Sequence, residues 1–317
     1  MLSYRLAMSA LLIPMLLAVL WLDQWLGQTA GWAGVMLLLL LAVFTLGASR
    51  EVAAMMRSKG ALMPTPVLAI SGQAGLWYLG LVAVLLGPGQ WSGQPGPGWA
   101  GPWLASGALG MAGLLTVLAL VFFGSLTFHC RDRRPEGAIL AGAGAVFACV
   151  YLGLLPGFWL LVRQEHSAWI VAGAILVTKS CDIGAYTAGR IFGRRKLIKW
   201  LSPGKTWEGL AGGLMFSGGL SIGLVAWANA VSDGAATGGW AGEGALAPLW
   251  LAGVAGVLLG LVGQLGDLLA SLLKRDAKLK DSGATIPGFG GVLDLVDSAL
   301  LTGPVAYWLL ALAATIR

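Results

Sequence analysis

Between Leu265 and Ser298 the chain gathers chemistry that it lacks elsewhere. Asp267, Ser271 and Lys274 are spaced four and three apart, so on a helix they line one face; Asp294 and Asp297, three apart, share another. Between these groups stand Arg275, Asp276, Lys278, Lys280 and Asp281, then Pro287-Gly288-Phe289-Gly290-Gly291. Only 11% of the chain is charged, yet five carboxylates and four cations fall within this one stretch. Carboxylates from two helices meeting across a loop are the oxygen donors that a hard cation such as Mg²⁺ prefers. The glycines, Gly290 and Gly291 among them, let backbone amides face a phosphate. Metal, cations and a phosphate loop together are what phosphoryl or nucleotidyl transfer requires, because its catalysis is mostly positioning and charge neutralisation. An ordinary solvated loop accounts for Asp276 and Lys278, but not for Asp267, Asp294 and Asp297, which interrupt apolar runs.

A second polar segment runs from Lys179 to Gly209. Lys179, Asp182 and Tyr186 fall at i, i+3 and i+7, one helical face, either as a Lys–Asp pair that neutralises itself or as part of a site. Downstream, Ser202-Pro-Gly-Lys205-Thr206 reads as a turn whose glycine, lysine and hydroxyls suit a polyphosphate, although the leading glycine of a Walker A loop is missing. Arg194 to Lys199 form a basic run, expected as cytoplasmic charge or as a contact for anionic lipid headgroups.

The elements that position these residues must lie in a membrane. The 317-residue chain is 57% apolar with mean hydropathy +0.81, well above a soluble domain. A span needs about 20 mainly apolar residues. That rule gives an all-α, polytopic bundle of about nine spans: 6–25, 31–48, 63–86, 104–127, 138–161, 168–188, 207–229, 247–270 and 291–314. Leu155-Pro156-Gly157 predicts a kink or early end in the fifth. The first run lacks a small-residue cleavage site after it and is expected to be a retained span. With this count, 17 of the 20 lysines and arginines fall on one side, which places the N-terminus inside, the C-terminus outside and the active site on the cytoplasmic face of the plasma or inner membrane. Residues 1–165 are expected to form a scaffold and 166–317 the catalytic region. Gly87–Pro102 and Val231–Ala247 read as connectors without chemistry. Trp21, Trp25, Trp99, Trp103 and Trp250 read as an aromatic belt at the span ends. Gly209-xxx-Gly213 and Gly256-xxx-Gly260 are small-residue faces for close helix packing, within one chain or in a homodimer. Three unpaired-looking cysteines and two distant histidines argue against a disulfide framework or a histidine metal site, and the placement of the positive charge argues against nucleic acid as a partner.

At these residues the chain resembles the integral-membrane phosphatidate cytidylyltransferases, the CDP-diacylglycerol synthases. Ser271, Lys274, Arg275, Lys280, Asp281, Gly283, Ile286, Pro287, Gly290, Gly291, Asp294 and Asp297 fall in register with that family's signature. Asp182-Ile-Gly-Ala-Tyr186, Gly189-Arg190 and Ser202 to Gly209 look like its second block, and Glu51 to Gly60 is similar to its short cytoplasmic helix. Phe289 stands where the family has histidine, and Leu295 where it has arginine. The resemblance implies transfer of the cytidylyl group of CTP to phosphatidate, with Mg²⁺, within a membrane lipid environment. It implies Asp267, Asp281, Asp294 and Asp297 as metal ligands and Lys205, Lys274, Arg275 and Lys280 as cations for the triphosphate. Asp182 and Tyr186 would face the lipid headgroup, with Arg190, Ser202, Thr206, Ser271, Gly290 and Gly291 among the binding residues. Three other readings share parts of the pattern: a CTP-dependent kinase of a polyprenol or phytol, an ion-coupled transporter, and an inactive paralogue suggested by Phe289 and Leu295. Motif order disfavours the kinase, and acids crowded toward span ends disfavour the transporter.

Overall fold

A computed structural model describes residues 2–58, 63–86, 108–133, 135–232, 248–283, 285–286 and 290–316. Among the described residues, nine helices are long and apolar enough to cross a membrane. They are α1 (Leu2–Ala30), α2 (Val35–Ser58), α3 (Thr65–Leu86), α4 (Ala108–His129), α5 (Ala138–Glu165), α6 (Ala168–Phe192), α7 (Trp207–Ser232), α8 (Leu249–Asp276) and α9 (Val292–Ile316). The protein is therefore a multi-pass integral membrane protein. Each expected span has its helix, but several helices outrun the apolar stretch that announced them. α2 continues to Ser58 and α8 to Asp276 because Arg50 to Arg57 and Ser271 to Arg275 mix charged residues with good helix formers such as Ala53, Met55, Leu272 and Lys274. Those extra turns carry Glu51 and Lys274.

One two-stranded hairpin departs from the all-helical plan. β1 (Lys196–Ile198) pairs antiparallel with β2 (Ser202–Thr206), Lys196 opposite Thr206 and Ile198 opposite Ser202. The Ser-Pro-Gly-Lys-Thr segment expected as a turn is thus the second strand, leading straight into α7. Thr206 then caps that helix, its hydroxyl accepting the Gly209 N–H at 3.1 Å.

The chain divides into two compact units, residues 1–165 with 273–296, and residues 166–272 with 297–317. In the first, α5 shows how a proline is carried inside a span. The helix neither ends nor breaks at Pro156; it runs through a π-helical segment, Cys149–Leu154, immediately before it. Proline has no N–H for the carbonyl four residues back, Leu152. The Thr45 hydroxyl of α2 donates to that carbonyl instead, at 3.0 Å. Glycines let α3 approach the widened segment: a Cβ on Gly153 would collide with the Gly72 carbonyl, and one on Gly75 with the Cys149 carbonyl. The same unit holds a buried ion pair. Arg163 donates its Nε–H to Asp23 at 2.5 Å, and Asp23 also accepts the N–H groups of Gly34, Met36 and Leu37 at 3.1, 2.9 and 3.3 Å, capping the start of α2.

In the second unit the small-residue face expected at Gly209 and Gly213 packs α7 against α6. A Cβ on Gly213 would stand 2.6 Å from the Cys181 carbonyl, and one on Gly209 2.8 Å from that of Ala185. The Gly256 and Gly260 face lies against Ser217 of α7 in the same way. This close approach brings the strand before α7 to the polar end of α6.

Candidate active site

Four elements of the second unit converge on one charged cluster. α6 contributes Lys179 and Asp182, β2 contributes Lys205, α8 contributes Gln264 and Asp267, and α9 contributes Asp297 and Ser298. Lys205 Nζ stands 2.7 Å from Asp267 Oδ2 and 3.5 Å from the Gln264 carbonyl. The Gln264 amide donates to Asp182 Oδ1 at 2.6 Å. Lys179 Nζ lies 3.8 Å from Asp182 Oδ2 and 3.7 Å from Asp297 Oδ1, and donates to Ser298 Oγ at 3.0 Å. Asp297 is buried; the Ser298 N–H and hydroxyl both donate to its Oδ1. Asp267 is near enough to Asp182 and Asp297 for their like charges to act on one another. Three carboxylates against two ammonium groups leave the cluster with one surplus negative charge. Lys179 and Asp182 are not the closed, self-neutralising pair that sequence allows: both side chains are over a third exposed.

The glycines explain why these side chains meet. A Cβ on Gly189 or Gly193 would stand 3.0 or 2.9 Å from Thr206 Oγ1, so both make room for the strand that carries Lys205. A Cβ on Gly266 would meet the Asp297 carbonyl at 2.6 Å, so α8 and α9 touch beside Asp267. One layer further along the helices, Thr178, Gly263 and Thr302 pack together, with both threonines buried. Beyond that layer lies an apolar cavity of about 190 Å³, lined by Ile170, Val177, Leu224, Leu259 and Leu309 among others. Its lining carries His166 but no Asp, Glu, Lys or Arg side chain.

A different arrangement occupies the first unit. Asp294, in the first turn of α9, takes Lys274 Nζ on Oδ1 at 2.6 Å. Its Oδ2 accepts the N–H of Ser282 at 2.9 Å and of Gly291 at 3.0 Å, with the Ser282 hydroxyl at 2.8 Å. Glu51 of α2, buried, accepts the Thr285 hydroxyl and the N–H groups of Val292 and Leu293, and shares the single Ser282 hydroxyl proton with Asp294. The amides of Gly290 and Gly291 are engaged within the chain, to the Ile286 carbonyl and to Asp294. Gly290 is glycine for its φ of +94° and because a Cβ there would stand 2.8 Å from Asp294 Oδ2.

Of the residues singled out by sequence, Asp182, Lys205, Asp267 and Asp297 gather in one cluster; Lys274, Asp294, Gly290 and Gly291 gather in the other arrangement. Asp281 is exposed, its Cβ 3.3 Å from where a Gly290 Cβ would be. The rest serve elsewhere or stand at the surface. Arg275 donates to the Leu279 carbonyl, closing the end of α8, and Arg190 donates to the Tyr186 hydroxyl on an exposed face. Lys280 is exposed, Ser202 and Ser271 are half-buried, and Thr206 is the cap described above. Phe289, Pro287, Trp99 and Trp103 lie outside the described residues. Glu51, Gln264, Ser282 and Ser298 were not singled out as site residues. Gln264 had a usable signal, three residues before Asp267 in an otherwise apolar run; Glu51 had none beyond its position just past the span rule's end of α2.

The donor chemistry of the second unit suits a hard divalent cation: Asp267 and Asp297 are oxygen donors in a cluster with surplus negative charge. Among the described residues, no three acidic, histidine or cysteine side chains stand close enough together to enclose an ion by themselves. Any such ion would therefore keep much of its coordination for water and substrate oxygens, as Mg²⁺ commonly does.

Membrane-crossing helices that gather lysines and carboxylates within one unit make a candidate site for charged groups in a membrane protein. The sequence profile of the Cytidylyltransferase family matches residues 3–313, and the chain belongs to that family. It is 31% identical over 277 residues to the phosphatidate cytidylyltransferase of Mycobacterium bovis, covering 85% of this chain and 78% of that protein. It is 39% identical over 211 residues to the phosphatidate cytidylyltransferase of Synechocystis, covering 56% and 66%. An uncharacterized protein of Escherichia coli, YnbB, is 35% identical over 191 residues, covering 54% and 57%.

Proposed function

We propose that the protein transfers the cytidylyl group of CTP to phosphatidate, giving CDP-diacylglycerol and pyrophosphate. The observation that carries this is Lys205 set 2.7 Å from Asp267 at the head of a cluster built by four elements, in a member of a cytidylyltransferase family. A phosphate monoester is nucleophilic at neutral pH without a strong base, which agrees with a cluster that contains no histidine. A phosphate oxygen of the lipid attacks the α-phosphorus of CTP in line, the new P–O bond forms, and the bond to the β-phosphate oxygen breaks with pyrophosphate leaving. Lys205 and Lys179 neutralise charge on the phosphates, where a fixed ammonium group is worth most to the transition state. Gln264 holds Asp182 in the cluster through its amide. Mg²⁺, held at Asp267 and Asp297, would polarise the phosphoryl oxygens and shield the leaving pyrophosphate.

The basic loops define the side on which this happens. With 17 of the 20 lysines and arginines on one side of the nine spans, the cluster faces the cytoplasm, where CTP is available. The test is purified full-length protein with CTP, phosphatidate and Mg²⁺. The expected products are a CDP-lipid and pyrophosphate in equal amounts. A phosphorylated lipid alcohol with CDP, or no turnover with phosphatidate, would overturn the reading.

A further inference from the structure

We propose that the hairpin between α6 and α7 docks on the anionic phospholipid headgroups of the bilayer that these helices cross, with Trp200 set among them. The surface lies wholly within the second unit and does not depend on the transfer reaction. From Arg190 to Glu208 the chain holds six lysines and arginines and a single carboxylate. Lys205 is held by Asp267, but Arg190, Arg194, Arg195, Lys196 and Lys199 are all exposed. The one acid, Glu208, accepts the backbone N–H groups of Arg194 and Arg195, each at 3.1 Å. Five exposed cations against one acid leave a strongly positive face, and the headgroups of acidic phospholipids are its complement.

Position brings that face to the membrane. α6 ends at Phe192 and α7 begins at Trp207, and both helices are long and apolar enough to span. β1, three residues long, extends about 10 Å. The polar layer on each side of a bilayer is about 5–7 Å deep, and charges act over about 8–10 Å at physiological salt. A hairpin this short, tied at both ends to spans, keeps its cations within reach of the headgroups. Its shape is fixed from within. Trp207 N–H donates to the Arg195 carbonyl at 3.0 Å, Glu208 holds the two residues before β1, and Leu201 at the turn is buried. Docking therefore has little chain to order.

Trp200 separates this surface from ordinary loop charge. It stands between the two strands, outside both spans, and is 72% exposed. Residues 130–137 and 277–283 are basic too, yet carry no aromatic side chain. Tryptophan favours the layer between hydrocarbon and water, where the ring is shielded and its N–H stays hydrated. Phe192 and Trp207, at the ends of the flanking helices, are exposed as well. β2 leads from the turn to Lys205, and only about 10 Å of strand separates Ser202 from that lysine. Acidic lipid held at the turn thus lies one short strand from the charged cluster.

The test uses the full-length protein in nanodiscs of phosphatidylcholine alone or of a phosphatidylcholine–phosphatidylglycerol mixture. A nitroxide is attached at Gly204→Cys, where a Cβ meets nothing within 4 Å, in a Cys130→Ser background; Cys149 and Cys181 are buried. A second label, at Trp200→Cys, reads the turn itself. Collision with a water-soluble relaxant should be at least about threefold lower in the mixed discs at one label or both, since each cation near an acidic surface favours contact about fivefold. The difference should vanish at about 1 M salt, where screening shortens the reach of charge to about 3 Å. Combined Arg194→Gln, Lys196→Gln and Lys199→Gln should abolish it, and in the Gly204→Cys protein Trp200→Ala should weaken it while leaving its salt dependence. Equal collision in both kinds of disc at both labels would overturn the proposal, as would wild-type protection in the triple variant. Protection that persists in lipid-free detergent would overturn it too, because the surface would then be covered by protein.

Discussion

The two units use their carboxylates in opposite ways. In the first, Asp23, Glu51 and Asp294 each spend their oxygens on backbone N–H groups at a helix start: Asp23 on Gly34, Met36 and Leu37, Glu51 on Val292 and Leu293, Asp294 on Gly291. In the second, Asp267 and Asp182 face lysine and glutamine side chains and remain partly exposed, while Asp297, buried, takes both the Ser298 N–H and Lys179. A carboxylate that accepts from the backbone is locked by the fold. One balanced by a lysine can exchange that lysine for another cation or for a substrate's counter-charge. Both kinds are costly in or near a membrane, so the presence of an acid in an apolar run marks importance without saying which kind. Partner chemistry says which.

Substitutions can break this contrast. The largest effect on stability is expected at Asp23→Ala, which removes the carboxylate of a buried ion pair and the acceptor for three N–H groups at the start of α2; the cost should be about 3–5 kcal/mol, read as a marked fall in melting temperature. Turnover by the fraction that remains folded should be nearly unaffected, and an inactive but stable protein would contradict the division of roles. Next comes Lys205→Met, expected to lower kcat about 100-fold, the loss seen when one donor to developing charge is removed. Its melting temperature should hardly move, because partly exposed ion pairs contribute only about 0–1 kcal/mol. Thr45→Val removes the hydroxyl that satisfies Leu152 before Pro156 and should cost about 1–3 kcal/mol, with no change in kcat. The smallest effect belongs to Thr206→Ala: about 1 kcal/mol from loss of the α7 cap, with a modest fall in activity because β2 also carries Lys205. An activity loss as large as that of Lys205→Met would instead give Thr206 a direct part in substrate binding.

How much of this the sequence carried depends on the length scale of the signal. Apolar runs located all nine helices, since crossing a membrane needs length and composition and little else. They misplaced the ends of α2 and α8, because polarity stops an apolar run without stopping a helix. Asp267, Asp294 and Asp297 were legible as acids that interrupt apolar runs, and Asp182 by the helical face it shares with Lys179. What could not be read was their partnering. Nothing in the spacing says that Lys205 reaches Asp267 while Lys274 takes Asp294, because those pairings depend on how helices distant in sequence pack. Glu51 is the clearest case: its partners lie more than two hundred residues away and half of them are backbone atoms, which leave no trace in residue type. The hairpin was missed for a related reason, since a five-residue strand containing Pro203 and Gly204 looks like a turn until its partner strand is in view.

The central claim, that the Lys205–Asp267 cluster carries out transfer while the backbone-bound acids hold the fold, is tested most directly on Asp267→Asn. Turnover of CTP with phosphatidate and Mg²⁺ should be measured alongside thermal melting of the same preparation. The account predicts loss of nearly all pyrophosphate release with melting close to wild type. Wild-type turnover in that variant would contradict it.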